Sequence, residues 1–195
     1  SSMRLLCAYD NCQNYFLDTT NVSRLDSWDG KTSLKLLCGL LNSKVLNYWY
    51  CNKYLMPTIG IYELHTIPIK VPSNPKTFIN LVDYLLFLND KQSEQLFPHT
   101  SNERIAAHIE DVLNMLVYEL YFEKHIKEVG IDVLSMINDK LLMINEDKTL
   151  INNLPLTIKH FYNWYMQPNN EVRKRIETAN EKSPDIISKI NLATQ

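Results

Sequence analysis

Six residues in one stretch carry groups able to meet a polyanion: Lys53, Tyr54, Thr58, Tyr62, His65 and Lys70. Ammonium groups neutralise phosphates, while hydroxyl and imidazole groups reach base edges. Such a mix can therefore divide between positioning on a DNA backbone and reading its sequence. Pro57 and Gly60 within the stretch are turn signals that favour exposure. The same residues also admit a plainer reading, in which Tyr54 and Tyr62 pack beneath the preceding helix and the lysines are ordinary surface. A secondary basic patch, Arg173, Lys174 and Arg175 followed by Lys182, is the densest run of cations. On a helix Arg173 and Arg175 point to different faces, so the run suits a solvated face as well as a DNA clamp.

No set of residues assembles into a catalytic site. Adenine methyl transfer needs an Asn/Asp-Pro-Pro-Tyr/Phe loop and a Gly-containing loop for the methyl donor, and neither occurs. A metal-dependent nuclease of the PD…(D/E)xK type needs converging carboxylates and a lysine. Glu146-Asp147-Lys148 offers the second part, but Pro184-Asp185 follows it instead of preceding it, and Asn89-Asp90-Lys91 and Asn138-Asp139-Lys140 fall at predicted helix ends. His65, His99, His108, His125 and His160 lack the i, i+4 pairing of a helical zinc site. Cys7, Cys12, Cys38 and Cys51 contain no C-x-x-C pair, which predicts buried, reduced thiols and no metal site.

The element that must position the six candidates is the apolar run before them. Leu34, Leu37, Cys38, Leu41, Val45, Tyr48 and Trp49 recur at helical spacing and predict one long central helix from Leu34 to about Cys51. Pro57 and Gly60 turn the chain, and Ile59 to Ile69 reads as a short extended segment ending at Pro68. Arg4–Ala8 and Tyr15–Asp18, separated by a polar insert, read as a β-hairpin whose second strand continues through Thr19–Val22, with Asp29-Gly30 turning into the helix. Further on, helices are predicted from Pro75 to Leu88, from a Thr100/Glu103 capping box to Phe122, and over Val133–Ile144, Leu156–Met166 and Glu171–Glu181. Ser183-Pro184 opens a last short one. Strands first and helices later predict an α+β fold: a small N-terminal β region packed on a long central helix, followed by a mostly helical C-terminal half.

The 195 residues are 45% hydrophobic and 22% charged, within the range of a folded globular chain able to bury a sizeable core. No apolar run is long enough to span a bilayer, and no secretory pattern opens the sequence, which predicts a cytoplasmic protein with no membrane partner. The formal net charge of −2 is a poor match for a free-standing DNA binder, because phosphate contacts supply most of the affinity. Weak intrinsic affinity suffices if a tethered second domain makes the contact intramolecular.

The helix LLCGLLNSKVLNYWY (Leu36–Tyr50), followed by a turn and by Leu64-His65-Thr66-Ile67-Pro68-Ile69, resembles the C-terminal specificity domain of TaqI-like adenine DNA methyltransferases and of the fused restriction-modification enzymes built on them. Leu116-Val117-Tyr118-Glu119-Leu120-Tyr121 resembles a helix found downstream in that family, so the resemblance extends over roughly Arg4 to Lys140. It implies that residues 1–150 form a target-recognition domain for double-stranded DNA in a bacterial enzyme, with residues 151–195 a helical C-terminal extension of unassigned role. It further implies that the partner is a methyltransferase domain of the same parent chain. That domain would hold S-adenosylmethionine, leaving this piece with no cofactor and no catalytic residue. The reading from a different class is a helical protein-interaction module that docks on another subunit.

Overall fold

A computed structural model describes residues 5–10, 12, 14, 20–24, 33–54, 59–150 and 152–194. Eleven α-helices lie among them: α1 (Leu34–Leu41), α2 (Lys44–Lys53), α3 (Ile61–His65), α4 (Pro75–Asn89), α5 (Asn102–Tyr121), α6 (Glu123–Glu128), α7 (Leu134–Glu146), α8 (Leu154–Tyr165), α9 (Glu171–Glu177), α10 (Ala179–Lys182) and α11 (Lys189–Ala193). A π-helical turn, Pro184–Ser188, joins the last two. No strand occurs among the described residues, where the only β-type pairing is an isolated bridge between Phe97 and Thr100. The fold is all-α, and the expected α+β architecture is corrected on two counts.

The first concerns the N-terminal arm. Leu5 to Asp10 is neither strand nor helix, while Tyr15–Asp18 of the expected hairpin, with Trp28 and Asp29-Gly30, lie outside the described residues. The arm's backbone groups are satisfied by side chains instead of a neighbouring strand. Leu5 N donates to Asn47 Oδ1 at 2.8 Å, Cys7 N donates to Asn42 Oδ1 at 3.0 Å, and Asn42 Nδ2 donates back to Cys7 O at 2.7 Å. Two asparagines thus do for the arm what an edge strand would do.

The second concerns Ile59–Ile69, which holds helix α3 instead of a strand. Gly60 precedes it as N-cap, and Glu63 sits in the first turn where the helix dipole favours a carboxylate. Ile-Tyr-Glu-Leu-His has no strict alternation to hold a sheet face, and Pro68 lies just beyond the helix end, where its lack of an N–H would break a longer helix.

The long central helix is two helices. Asn42 and Ser43 break it because both side chains turn back on the backbone. Ser43 Oγ donates to Leu40 O at 2.6 Å and accepts from Leu46 N at 3.4 Å, ending α1 and capping α2 with one hydroxyl. The later helices lie close to their predicted ranges. Ser101, one residue beyond the predicted Thr100, caps α5 by accepting from Arg104 N at 3.3 Å.

The core is built on α4 and α5, with α1 against α4, α2 against α5, and α11 against α2. Leu36, Leu40, Phe78, Leu81, Ile105, Ile109 and Leu116 are each at most 1% exposed. Helix α1 approaches α4 so closely that a Cβ at Gly39 would lie 2.6 Å from Val82 Cγ2. Residues 152–194 share this core through Ile158, Phe161, Val172 and Ile187. No helix among the described residues is long and apolar enough to cross a membrane.

Candidate nucleic-acid interface

Helix α3 stands on the protein as a short platform, held by hydrogen bonds and by Leu64 and Ile67 packed on the core. The Tyr54 hydroxyl, just past the end of α2, hydrogen-bonds Thr66 Oγ1, and Thr66 Oγ1 donates to Glu63 O at 2.8 Å. Asn21 Nδ2 donates to Ile59 O at 2.7 Å on the entry side. On the exit side Tyr121, the last residue of α5, donates its hydroxyl to Pro68 O at 2.6 Å and accepts from Lys70 N at 3.1 Å. Burial pushes the Tyr121 phenol above its ordinary pKa, and the Lys70 N–H bond partly offsets that rise. Ile67 is buried beneath the platform.

The platform presents Tyr62, which is 83% exposed, beside Ile61 at 56%. His65 is also exposed one turn on. Lys53 is exposed at the end of α2, its Nζ lying 4.5 Å from the Trp49 ring centroid and 5.2 Å from that of Tyr54. A cation held over two rings has fewer conformations to lose when it meets a phosphate.

The six sequence candidates therefore separate. Tyr62, His65 and Lys53 face solvent. Tyr54 is half-buried, packed against Tyr50 at 5.1 Å and committed to Thr66. Lys70 is exposed, but its Nζ donates to Leu120 O at 2.7 Å, at the carbonyl end of α5, where a cation is favoured. Thr58 lies outside the described residues.

The secondary patch is largely neutralised. Arg175 meets Asp132 Oδ1 at 3.2 Å and Glu171 Oε1 at 3.1 Å, and Arg173 meets Glu177 Oε1 at 3.4 Å. Lys174 alone of the three is exposed. The arginines knit α9 to itself and to the segment before α7.

Helix α5 carries residues whose work the sequence did not disclose. Glu119, 6% exposed, accepts from Val133 N at 2.8 Å and Leu134 N at 2.9 Å, capping α7 from a distance. The Tyr118 hydroxyl donates to Asn191 Oδ1 at 2.9 Å on α11. With Tyr121 on Pro68, the run Leu116–Tyr121 ties the platform, α7 and α11 to one helix end. Its signal in the sequence is three hydrogen-bonding side chains crowded into an otherwise apolar hexapeptide.

No curated protein and no solved structure matches the chain. The family match ends at the platform, so the Leu116–Tyr121 helix lies beyond it. Over residues 1–69, from the N-terminal arm to the Pro68-Ile69 edge of the platform, the chain matches the TaqI-like C-terminal specificity domain, a kind of domain that implies DNA recognition in restriction-modification enzymes.

Proposed function

We propose that this chain is the target-recognition part of a bacterial, cytoplasmic restriction-modification enzyme with N6-adenine DNA methyltransferase character, and that it meets double-stranded DNA through the α3 platform. The observation that carries the reading is the family match over residues 1–69. The exposed Tyr62, His65 and Lys53 at the far end of that match supply the contact chemistry. In this reading the methyltransferase domain of the parent chain binds S-adenosylmethionine and transfers the methyl group. The platform selects the site: Lys53 meets a phosphate, and Tyr62 and His65 meet the bases. The net charge of −2 then calls for tethering, which raises the effective concentration of DNA at the platform.

A salt titration of DNA binding by the parent enzyme tests this. Lys53→Gln is expected to flatten the slope of log affinity against log salt by about 0.9, one phosphate contact's worth. His65→Ala should alter preference between cognate and scrambled duplexes more than total affinity. An unchanged slope with unchanged preference would favour the helical module that docks on another subunit.

A further inference from the structure

One polar face of α5 faces a cleft that the DNA reading does not use. Arg104, His108, Asp111, Met115 and Tyr118 recur at helical spacing, so all five lie along one side of the helix. Opposite them stand Tyr165, Arg173 and Glu177 from α8 and α9, with Ile187 of the π-helical turn closing the floor. The cleft is half open, with a volume of about 590 Å³, within the range of small-ligand pockets.

Three features of the cleft are unspent. Tyr165 is only 3% exposed, yet its hydroxyl makes no hydrogen bond among the described residues. A hydroxyl that opens on the cleft without a protein partner is free to bond a ligand. The Arg104 guanidinium is exposed at one end and has no ion-pair or hydrogen-bond partner among the described residues. Asp111 carries a carboxylate seven residues further along, about 10 Å at 1.5 Å rise per residue. The other charges are accounted for: Arg173 holds Glu177 at 3.4 Å, and Lys44 of α2 stands on the Asp111 side. Between the two ends stands His108, whose ring lies 5.9 Å from that of Tyr165, while Met115, 2% exposed, lies one turn beyond Asp111, and Ile187 and Ala179, 1% and 4% exposed, also line the cleft.

An anion-seeking end, an aromatic middle, and a hydrogen-bond-accepting far end match a phosphate, a planar ring and an exocyclic amino group in order. We propose that this cleft binds one nucleotide unit, with its phosphate at Arg104, its base beside His108 and against Tyr165, and an amino group of the base at Asp111. The ligand is a free nucleoside monophosphate or a single nucleotide of an unpaired strand, since both present this chemistry. The site is independent of the α3 platform and of the DNA-reading proposal.

Calorimetric titration of the 195-residue chain with AMP, IMP, inorganic phosphate and a short oligoadenylate tests it. AMP is expected to bind more tightly than IMP, whose oxo group meets Asp111 with an acceptor, and phosphate alone should bind far more weakly. Arg104→Ala and Tyr165→Phe should each weaken AMP by about tenfold, as loss of one charged or one neutral hydrogen bond does. Neither change removes core volume, and circular dichroism melts confirm that the fold persists. Asp111→Asn should bring AMP and IMP closer together. Competition between AMP and the oligoadenylate supports the site, and the tighter of the two identifies its source. No heat with any nucleotide at millimolar concentration overturns the proposal. So does phosphate binding as tightly as AMP, or AMP affinity unchanged in both Arg104→Ala and Tyr165→Phe.

Discussion

At the scale of single residues, polar side chains decide how the helices are joined. Glu119 is the clearest, because its carboxylate accepts two backbone N–H groups at the start of α7 from within an otherwise apolar helix end. Glu119→Gln keeps the shape but removes the charge from both bonds, and is expected to cost about 1–3 kcal/mol in a denaturant titration. A variant as stable as the parent would show that α7 is held by packing alone. Arg175 offers a contrast. Its pairs with Asp132 and Glu171 are half-exposed, so Arg175→Gln should cost at most about 1 kcal/mol and leave the salt slope of DNA binding unchanged. A flattened slope in that variant would return the basic patch to the DNA interface. None of this was legible beforehand: a glutamate in a helix reads as solvent-facing until the chain it caps is known, and a basic run reads as free charge until its acids are placed.

At the scale of elements, α4 and α5 were legible because their apolar residues recur at helical spacing over four turns or more, enough to determine a face. The break between α1 and α2 was visible only as a polar interruption, since a serine within a helical pattern is compatible with either a continuous or a broken helix. The consequence for packing is testable. Leu40 is 1% exposed while Leu41 is only half-buried, so Leu40→Ala should lose about 2–5 kcal/mol and Leu41→Ala clearly less. Thermal melts that rank the pair the other way would place the α1 face wrongly. Helix α3 could not be read at all. Five residues carry too little periodicity to choose helix over strand, and the choice depends on Tyr54 with Thr66 and Tyr121 with Pro68, contacts 12 and 53 residues apart.

At the scale of the whole molecule, the C-terminal residues are bound up with the family-matched N-terminal ones. Ile158, Phe161, Val172 and Ile187 lie in the same apolar cluster as Leu36 and Leu46, and α11 packs on α2. Removal of residues 151–195 is therefore expected to abolish the cooperative melt, and a sharp transition in the shortened chain would show that the first 150 residues fold alone. The candidate interface was legible as a stretch but not residue by residue, because a tyrosine suits a core as well as a surface. Exposure of 83% at Tyr62 separates the two only once the platform beneath it is seen. The most direct measurement of the central claim is photocrosslinking from that position. A benzophenone-bearing side chain placed at position 62 of the parent enzyme is expected to crosslink duplex DNA. The same group at Leu142, also solvent-facing on α7 at 58% exposure, is expected to give none. Crosslinking at 142 and not at 62, or equal yield at both, would contradict DNA recognition through the α3 platform.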